Sequence, residues 1–355
     1  MDRPDLTDVD PKIRAYVEYL ESLVKVKPIS SGKDRFHTNM VSDTFVDQVE
    51  DQLPSELPTT LNIVTISKTG IAKRTARHLY SRQHRGGMGI FDLDVVSPDY
   101  PTILTCADET KNLILFSNTA RAFRLSINKI NSTPVRSKGE ILLQRISLEP
   151  EESIVAVLPE RASGYVAMAS ASGGVRCLRH HLFGEHMRPG TVMFQHKDFG
   201  PLVSACWTLG ESDLFVATQN GLAIRFSEKL VPPQGDLGIR LSGDDTVVAI
   251  TSVYQDSGVF LVGADGKGTV RLMSGFAPNK SMGGSGKLAI KCQKLVGATE
   301  IEENDDLFII TRQSKIIRFK ADEVPGTEGV IQGVNCISMR VDKVTTVIKT
   351  GLNQA

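Results

Sequence analysis

Ile63-Val64-Thr65-Ile66-Ser67-Lys68-Thr69-Gly70-Ile71-Ala72-Lys73-Arg74 is an apolar run, a turn and a second run that stops at a basic residue. Alone it reads as a β-hairpin, because the first run is rich in β-branched residues and the break carries glycine. Its recurrence decides the fold. Arg74, Arg124, Arg176, Arg225, Arg271 and Arg318 stand 50, 52, 49, 46 and 47 residues apart. Eleven residues before five of them an apolar run begins, at Ile63, Leu113, Tyr165, Leu214 and Leu307. The fifth copy, Val259-Phe260-Leu261-Val262, is displaced by one residue. A glycine follows each arginine after 13 to 15 residues: Gly89, Gly139, Gly190, Gly238, Gly286 and Gly333. A third apolar patch closes each unit, as at Ile103-Leu104 and Val344–Val347.

Units of this length with four short strands stack as blades around an axis. Six units predict an all-β, six-bladed propeller-like ring over 61–351. The blades are expected near 61–106, 107–160, 161–210, 211–257, 258–304 and 305–351. No helical pattern longer than about two turns interrupts them, which argues against α/β folds. Upstream, Asp10-Pro11 starts a pattern with Ile13, Tyr16, Val17, Leu20, Leu23 and Val24 at helical spacing. That predicts a short amphipathic α-helix within 1–27. Residues 28–60, with Ser30-Ser31-Gly32, Pro54 and Pro58, read as an acidic linker.

The first unit also holds Gln83-His84-Arg85-Gly86-Gly87-Met88-Gly89, at the end of a basic run. Between 61 and 90 stand Lys68, Lys73, Arg74, Arg77, Arg82 and Arg85, and no acid. An Arg-Gly-Gly-x-Gly loop keeps no side chains between its backbone and a ligand. Its glycines can turn successive N–H groups toward one anion. Arg85 adds a planar fork suited to phosphate. This loop resembles the box of the DNA gyrase C-terminal-domain family, Gln-Arg/Gln-Arg-Gly-Gly-Lys/Arg-Gly. Gln83, Arg85, Gly86, Gly87 and Gly89 match it; His84 and Met88 depart. The repeats extend the resemblance over about 290 residues.

The resemblance implies a β-pinwheel, in which neighbouring blades exchange strands. It also implies binding and bending or wrapping of double-stranded DNA, alongside a topoisomerase catalytic chain that would here be separate. DNA contacts are then expected from Lys73, Arg74, Arg77, Arg82, Gln83, His84, Arg85, Gly86, Gly87 and Gly89, and from Arg124, Arg176, Arg225, Arg271 and Arg318. The repeat arginines have two readings: a charged track around the ring, or strand-end residues paired with a neighbouring blade's carboxylates. Aligning Gly89 with Gly286 makes Met282-Gly283-Gly284-Ser285-Gly286 a degenerate box that has lost its arginine. The same stretch does not fit a nucleotide-binding P-loop, since Ser281 and Leu288 break that spacing.

Composition agrees with a globular chain: 355 residues, 41% hydrophobic, 23% charged, net charge zero. The balance is uneven. Residues 1–60 carry 7 Lys+Arg against 12 Asp+Glu, and the remainder 34 against 29. The arm is therefore either a solvated spacer or, through Asp43, Asp47, Glu50, Asp51 and Glu56, a competitor with DNA for the basic rim. No run is long enough to span a membrane, and Met-Asp-Arg-Pro-Asp is no secretory signal. Cys106, Cys177, Cys206, Cys292 and Cys336 form no CxxC pair, so a reducing cytoplasm is expected; the resemblance implies a bacterial-type one, at the nucleoid.

His180, His181 and His186 near Cys177 match no common zinc spacing, and no metal or cofactor is expected. Trp207 is expected in the core. So are Phe116, Phe123, Phe226, Phe260 and Phe319, as blade packing. None of Tyr16, Tyr19, Tyr80, Tyr100, Tyr165 and Tyr254 follows an arginine. The resemblance is thus to the non-catalytic part of a type II topoisomerase, with no catalytic site. The alternative is a propeller-type protein-interaction scaffold that has lost DNA wrapping.

Overall fold

The computed structural model describes residues 56–195 and 199–351. The expected N-terminal helix lies outside the described residues, as does the linker up to residue 55. Among the described residues the helical elements are seven 3₁₀ turns of three or four residues; the rest is strand and loop.

Six sheets form six blades. Blade 1 has a hairpin, Leu61–Ser67 with Ile71–Ala76, and an inner strand, Pro101–Asp108. The inner strands of blades 2 to 6 are Ile154–Pro159, Leu202–Thr208, Val247–Val253, Leu295–Ile301 and Val344–Thr350. Each touches the next and the last touches the first, so the ring is closed around a channel of about 900 Å³.

The outermost strand of each blade belongs to the following repeat. Glu140–Ile141 completes blade 1, Thr191–Val192 blade 2, Asp236–Leu237 blade 3 and Lys287–Leu288 blade 4. In blade 5 two strands of the following repeat join Lys267–Leu272, Val334–Asn335 antiparallel to it and Gly326–Thr327 parallel. Ile90–Phe91 of the first repeat pairs with Lys315–Lys320 and completes blade 6. Strand exchange, which spacing alone left open, is therefore present in every blade.

The recurring glycines lie beside these exchanged strands, where the chain crosses close to the neighbouring blade. A Cβ on Gly89 would stand 2.8 Å from the Ile316 carbonyl oxygen, and one on Gly139 2.6 Å from that of Ala72. Gly286 and Gly333 likewise face a carbonyl oxygen, of Ala223 (3.0 Å) and Gly268 (2.4 Å), whereas Gly190 faces the Arg121 guanidinium and Gly238 the Val175 side chain.

Leu61–Ser67 is buried along its whole length, because a blade has a neighbour on both faces. Alternate side chains enter different cores. Ile63 faces blade 6, with Phe308 and Ile310. Val64 faces blade 2, with Leu113 and Leu115. One apolar cluster fills each of the six blade–blade seams. Phe116, Phe123, Phe226, Phe260 and Phe319 are buried there, as expected.

The hairpin turn sets the true register. The Gly70 N–H donates to the Ser67 carbonyl. The same bond closes Ala120–Ser117, Gly173–Ser170, Gly221–Thr218, Gly266–Gly263 and Ser314–Thr311. All six donors have positive φ, from 60° to 96°. Counted from them, Arg74, Arg124, Arg225 and Arg318 hold one position, four residues on. Arg176 comes one residue early and Arg271 one late. A shift of one along a strand moves a side chain to the other face. The six arginines are therefore not one structural set, although their spacing suggested it.

Candidate nucleic-acid interface

The repeat arginines turn inward. Arg318 Nε donates to Asp306 Oδ2 (2.9 Å), and Nη1 to the carbonyls of Arg77 (3.2 Å) and Tyr80 (3.0 Å) in the first repeat's 3₁₀ turn. Its Nη2 pairs with Glu56 and Asp306. Arg225 repeats this arrangement with Asp213 (2.8 Å) and the carbonyls of Met273 (2.8 Å) and Phe276 (3.1 Å). These two turn away from a charged track, as the second reading has it, but the aspartate each pairs with is on its own blade and not on a neighbouring one. They satisfy the carbonyls of the following repeat's turn and pair with an aspartate twelve residues upstream. That Asp–Arg spacing was visible in the sequence and was missed.

Arg124 pairs with Glu160 (3.0 Å), and Arg74 donates to Asn128 (2.7 Å). The shifted Arg176 donates to the carbonyls of Met193 (2.6 Å) and Pro233 (2.9 Å). Arg271 lies against the Phe276 ring and donates to the Gly275 carbonyl. Arg77 is buried against Glu56 (3.0 Å). Arg82 grips Asp306 with two nitrogens. Glu56, expected in the acidic linker, is thereby fixed within the ring. Asp43, Asp47, Glu50 and Asp51 lie outside the described residues.

Lys73 is fully buried. Its ammonium meets Asp92 Oδ1 at 2.7 Å and the carbonyls of Pro134 and Val135. Asp92 also accepts from Tyr80 Oη (2.7 Å) and Thr65 Oγ1 (2.7 Å). Burial draws the Lys73 ammonium below its ordinary value, against the pull of Asp92. Burial, and then Asp92, pushes the Tyr80 phenol well up. Lys73, Arg77, Arg225, Arg271 and Arg318 are all buried. The expectation of a charged track that includes them is corrected: a strand clamped between blades offers their charge to seam carbonyls and carboxylates.

The box loop remains on the surface. It bridges blade 1 and the exchanged strand Ile90–Phe91, at the seam where the ring closes. His84, Arg85 and Met88 are exposed. The backbone donors do not converge on one point, as a cradle would require. The Arg85 N–H donates to Glu323 Oε2 (2.9 Å). Gly86 donates to the Cys336 carbonyl (2.8 Å), Gly87 to that of His84 (3.1 Å) and Gly89 to Gln83 Oε1 (3.2 Å). Gln83 thus ties the loop's two ends together. Arg85 Nε lies 2.8 Å from the Glu323 carbonyl oxygen, and His84 Nδ1 3.3 Å from Glu323 Oε2. Glu323 is a carboxylate where a phosphate oxygen could sit. It comes from the far end of the chain, and no local pattern marked it.

The degenerate copy keeps the backbone of the box. Gly86 and Gly89 have φ of 81° and 69°; Gly283 and Gly286 have 78° and 76°. Gly283 N–H donates to the Gly238 carbonyl and Arg240 N–H to that of Gly284. These bonds parallel Gly86 to Cys336 and Ser338 to Gly87. The box is therefore first a way of passing a strand between blades, and its charge is an addition. Elsewhere, Trp207 lies in an inner strand with Nε1 donating to the Pro159 carbonyl (2.7 Å). His180 lies edge-on to His181.

The profile of the DNA gyrase C-terminal domain, described as a beta-propeller, matches residues 61–94, 111–159, 212–253 and 305–327. The DNA gyrase A protein of Mycobacterium leprae is 27% identical over 291 residues, covering 78% of this chain and 23% of that protein. The Kosmotoga olearia homologue is 24% identical over 383 residues, covering 98% of this chain and 47% of its own. The chain thus spans less than half the length of these relatives. A solved DNA gyrase A C-terminal domain superposes with a TM-score of 0.72 at 21% identity, over 81% of this chain and 99% of its own. The C-terminal domain of DNA topoisomerase IV gives 0.59 at 18%, over 83% and 94%. At these identities the two structures speak for the fold.

Proposed function

Because the ring is built from repeats of the DNA gyrase C-terminal-domain family, we propose that this protein binds duplex DNA on its outer rim and bends it. It would serve as a non-catalytic partner of a type IIA topoisomerase chain, in the cytoplasm at the nucleoid. The observation that carries this reading is the exposed box loop with Arg85 and His84 at the closing seam. Such a surface neutralises phosphates and reads no bases. Bending 20–30 base pairs by 40–90° costs on the order of 1–6 kcal/mol, which a curved array of cations offsets.

The test is duplex binding across a salt series. Affinity is expected to fall steeply as salt rises. Arg85→Ala is expected to make the log–log slope shallower by about one unit for every sequence tested, as loss of one phosphate contact requires. Binding and slope unchanged by Arg85→Ala would remove the box from the site. Met88 offers a gain-of-function counterpart. At 71% exposure it stands where the family carries a cation. Met88→Lys is expected to steepen the slope by about one unit and tighten binding at low salt. A variant with wild-type affinity at every salt concentration would mean that the loop faces away from DNA.

The protein-scaffold reading draws support from the burial of Lys73, Arg225, Arg271 and Arg318, which removes four cations from the rim. It predicts no salt-sensitive duplex binding, so the same titration separates the two.

A further inference from the structure

Most cations singled out by the repeat are buried or paired, so the ring's free positive charge lies elsewhere. Part of it gathers in a groove of about 960 Å³ at the seam of blades 6 and 1. Lys138, Arg312, Arg340 and Lys343 line it and are exposed. Among the described residues none of the four has a carboxylate partner within ion-pair distance. A fifth cation, Arg136, is paired with Asp94 at 3.5 Å. The other acids of the groove are turned to the backbone. Asp99 accepts from the N–H groups of Thr69 (3.1 Å) and Tyr100 (2.9 Å). Asp342 accepts from those of Gln313 (3.1 Å) and Lys343 (2.8 Å).

Two aromatic rings hold cations in place. Arg312 lies over Tyr100, 4.4 Å from its centroid, with Lys68 at 5.9 Å. Arg136 and Lys315 lie over Phe91 at 5.3 and 5.6 Å. Packing a flexible cation on a ring reduces the ordering that a later anion must impose.

The groove is continuous with the box. Ser338 N–H donates to the Gly87 carbonyl (2.8 Å), and the chain runs from there through Arg340 to Lys343. Phe91 is two residues past the box glycine Gly89 and lines the groove. We propose that this groove is a second phosphate-binding element, which receives the DNA backbone next to the box and carries it across the closing seam. The proposal rests on the duplex-binding reading above. It joins residues of repeats 1, 2 and 6 at the seam where Ile90–Phe91 is exchanged into blade 6.

The experiment compares the full chain with Arg340→Ala/Lys343→Ala, Arg85→Ala and a control, Lys129→Ala/Lys229→Ala, on exposed cations of blades 2 and 4. Urea midpoints confirm that each variant is folded. Duplex DNA is titrated between 50 and 200 mM salt, and an acidic Asp/Glu peptide is titrated in parallel. Two lost phosphate contacts are expected to make the slope shallower by about two units and weaken binding roughly 50-fold at 0.1 M salt, with the control unchanged. If Arg85→Ala weakens binding and the groove variant does not, the groove is overturned while the box stands. If the wild-type chain binds no duplex even at 50 mM salt, the duplex reading itself falls, and the groove with it. If the groove variant loses the peptide and keeps DNA, the groove is a protein-docking site and the proposal is wrong.

Discussion

Arg318→Ala is expected to lower the stability of the ring by about 3–5 kcal/mol, the usual consequence of removing one member of a buried ionic cluster. Its guanidinium is 1% exposed and serves two carboxylates, Asp306 and Glu56, and two carbonyls, those of Arg77 and Tyr80. Alanine would take a donor from all four, and of the two carboxylates Asp306 is buried and Glu56 largely so. The location adds to the effect. Among the described residues the closing seam has eight buried apolar side chains, against fourteen between blades 1 and 2. A seam with less apolar surface relies more on its polar contacts. Arg124→Ala is the comparison. Its pair with Glu160 is about a quarter exposed on each side, and such pairs contribute about 0–1 kcal/mol. Urea unfolding of the two variants measures the contrast. Equal, small losses would mean that Arg318 does not hold the seam.

Asp92→Ala is the second large effect, again about 3–5 kcal/mol. The carboxylate and the Lys73 ammonium are both fully buried, 2.7 Å apart. Without Asp92 the ammonium keeps only carbonyl partners, and Tyr80 and Thr65 lose an acceptor. Lys73→Met/Asp92→Leu is expected to lose clearly less than the sum of the two single changes, because neither charge is then left alone. The pH dependence has a definite sign. Burial holds the folded-state Lys73 below the value of 10.5 it has when exposed. In the window between those two values the unfolded chain binds more protons, so stability from this group rises with pH. Asp92→Ala removes the interaction that opposes the shift. That variant should regain part of its lost stability as pH rises from neutrality toward 10. A loss that is constant with pH would show that Lys73 is solvated in the variant and keeps the value it has when exposed.

The ring is legible in the amino-acid pattern alone. Six hairpins, each an apolar run broken by a turn, can bury both faces only between like neighbours, and six such units close on themselves. The recurring glycines were legible too: at Gly89, Gly139, Gly286 and Gly333 the neighbouring backbone passes within 2.4–3.0 Å of where a Cβ would stand. The homology between the box and Met282–Gly286 was legible for the same reason: backbone conformation constrains glycine wherever it recurs.

What the cations do depends on how the blades pack. Arg176 and Arg271 fit the repeat spacing and yet face the other side of their strands, because register is fixed at the turn and not at the arginine. Lys73 belongs to an acid-free run in sequence, but it meets Asp92 because the chain turns back past the box. Arg318 and Glu56 are 262 residues apart and share one bond network because the ring closes. Lys138 comes from the second repeat and Arg312, Arg340 and Lys343 from separate loops of the sixth, with no motif among them. Charge is a property of one residue, whereas burial and pairing depend on which blades meet.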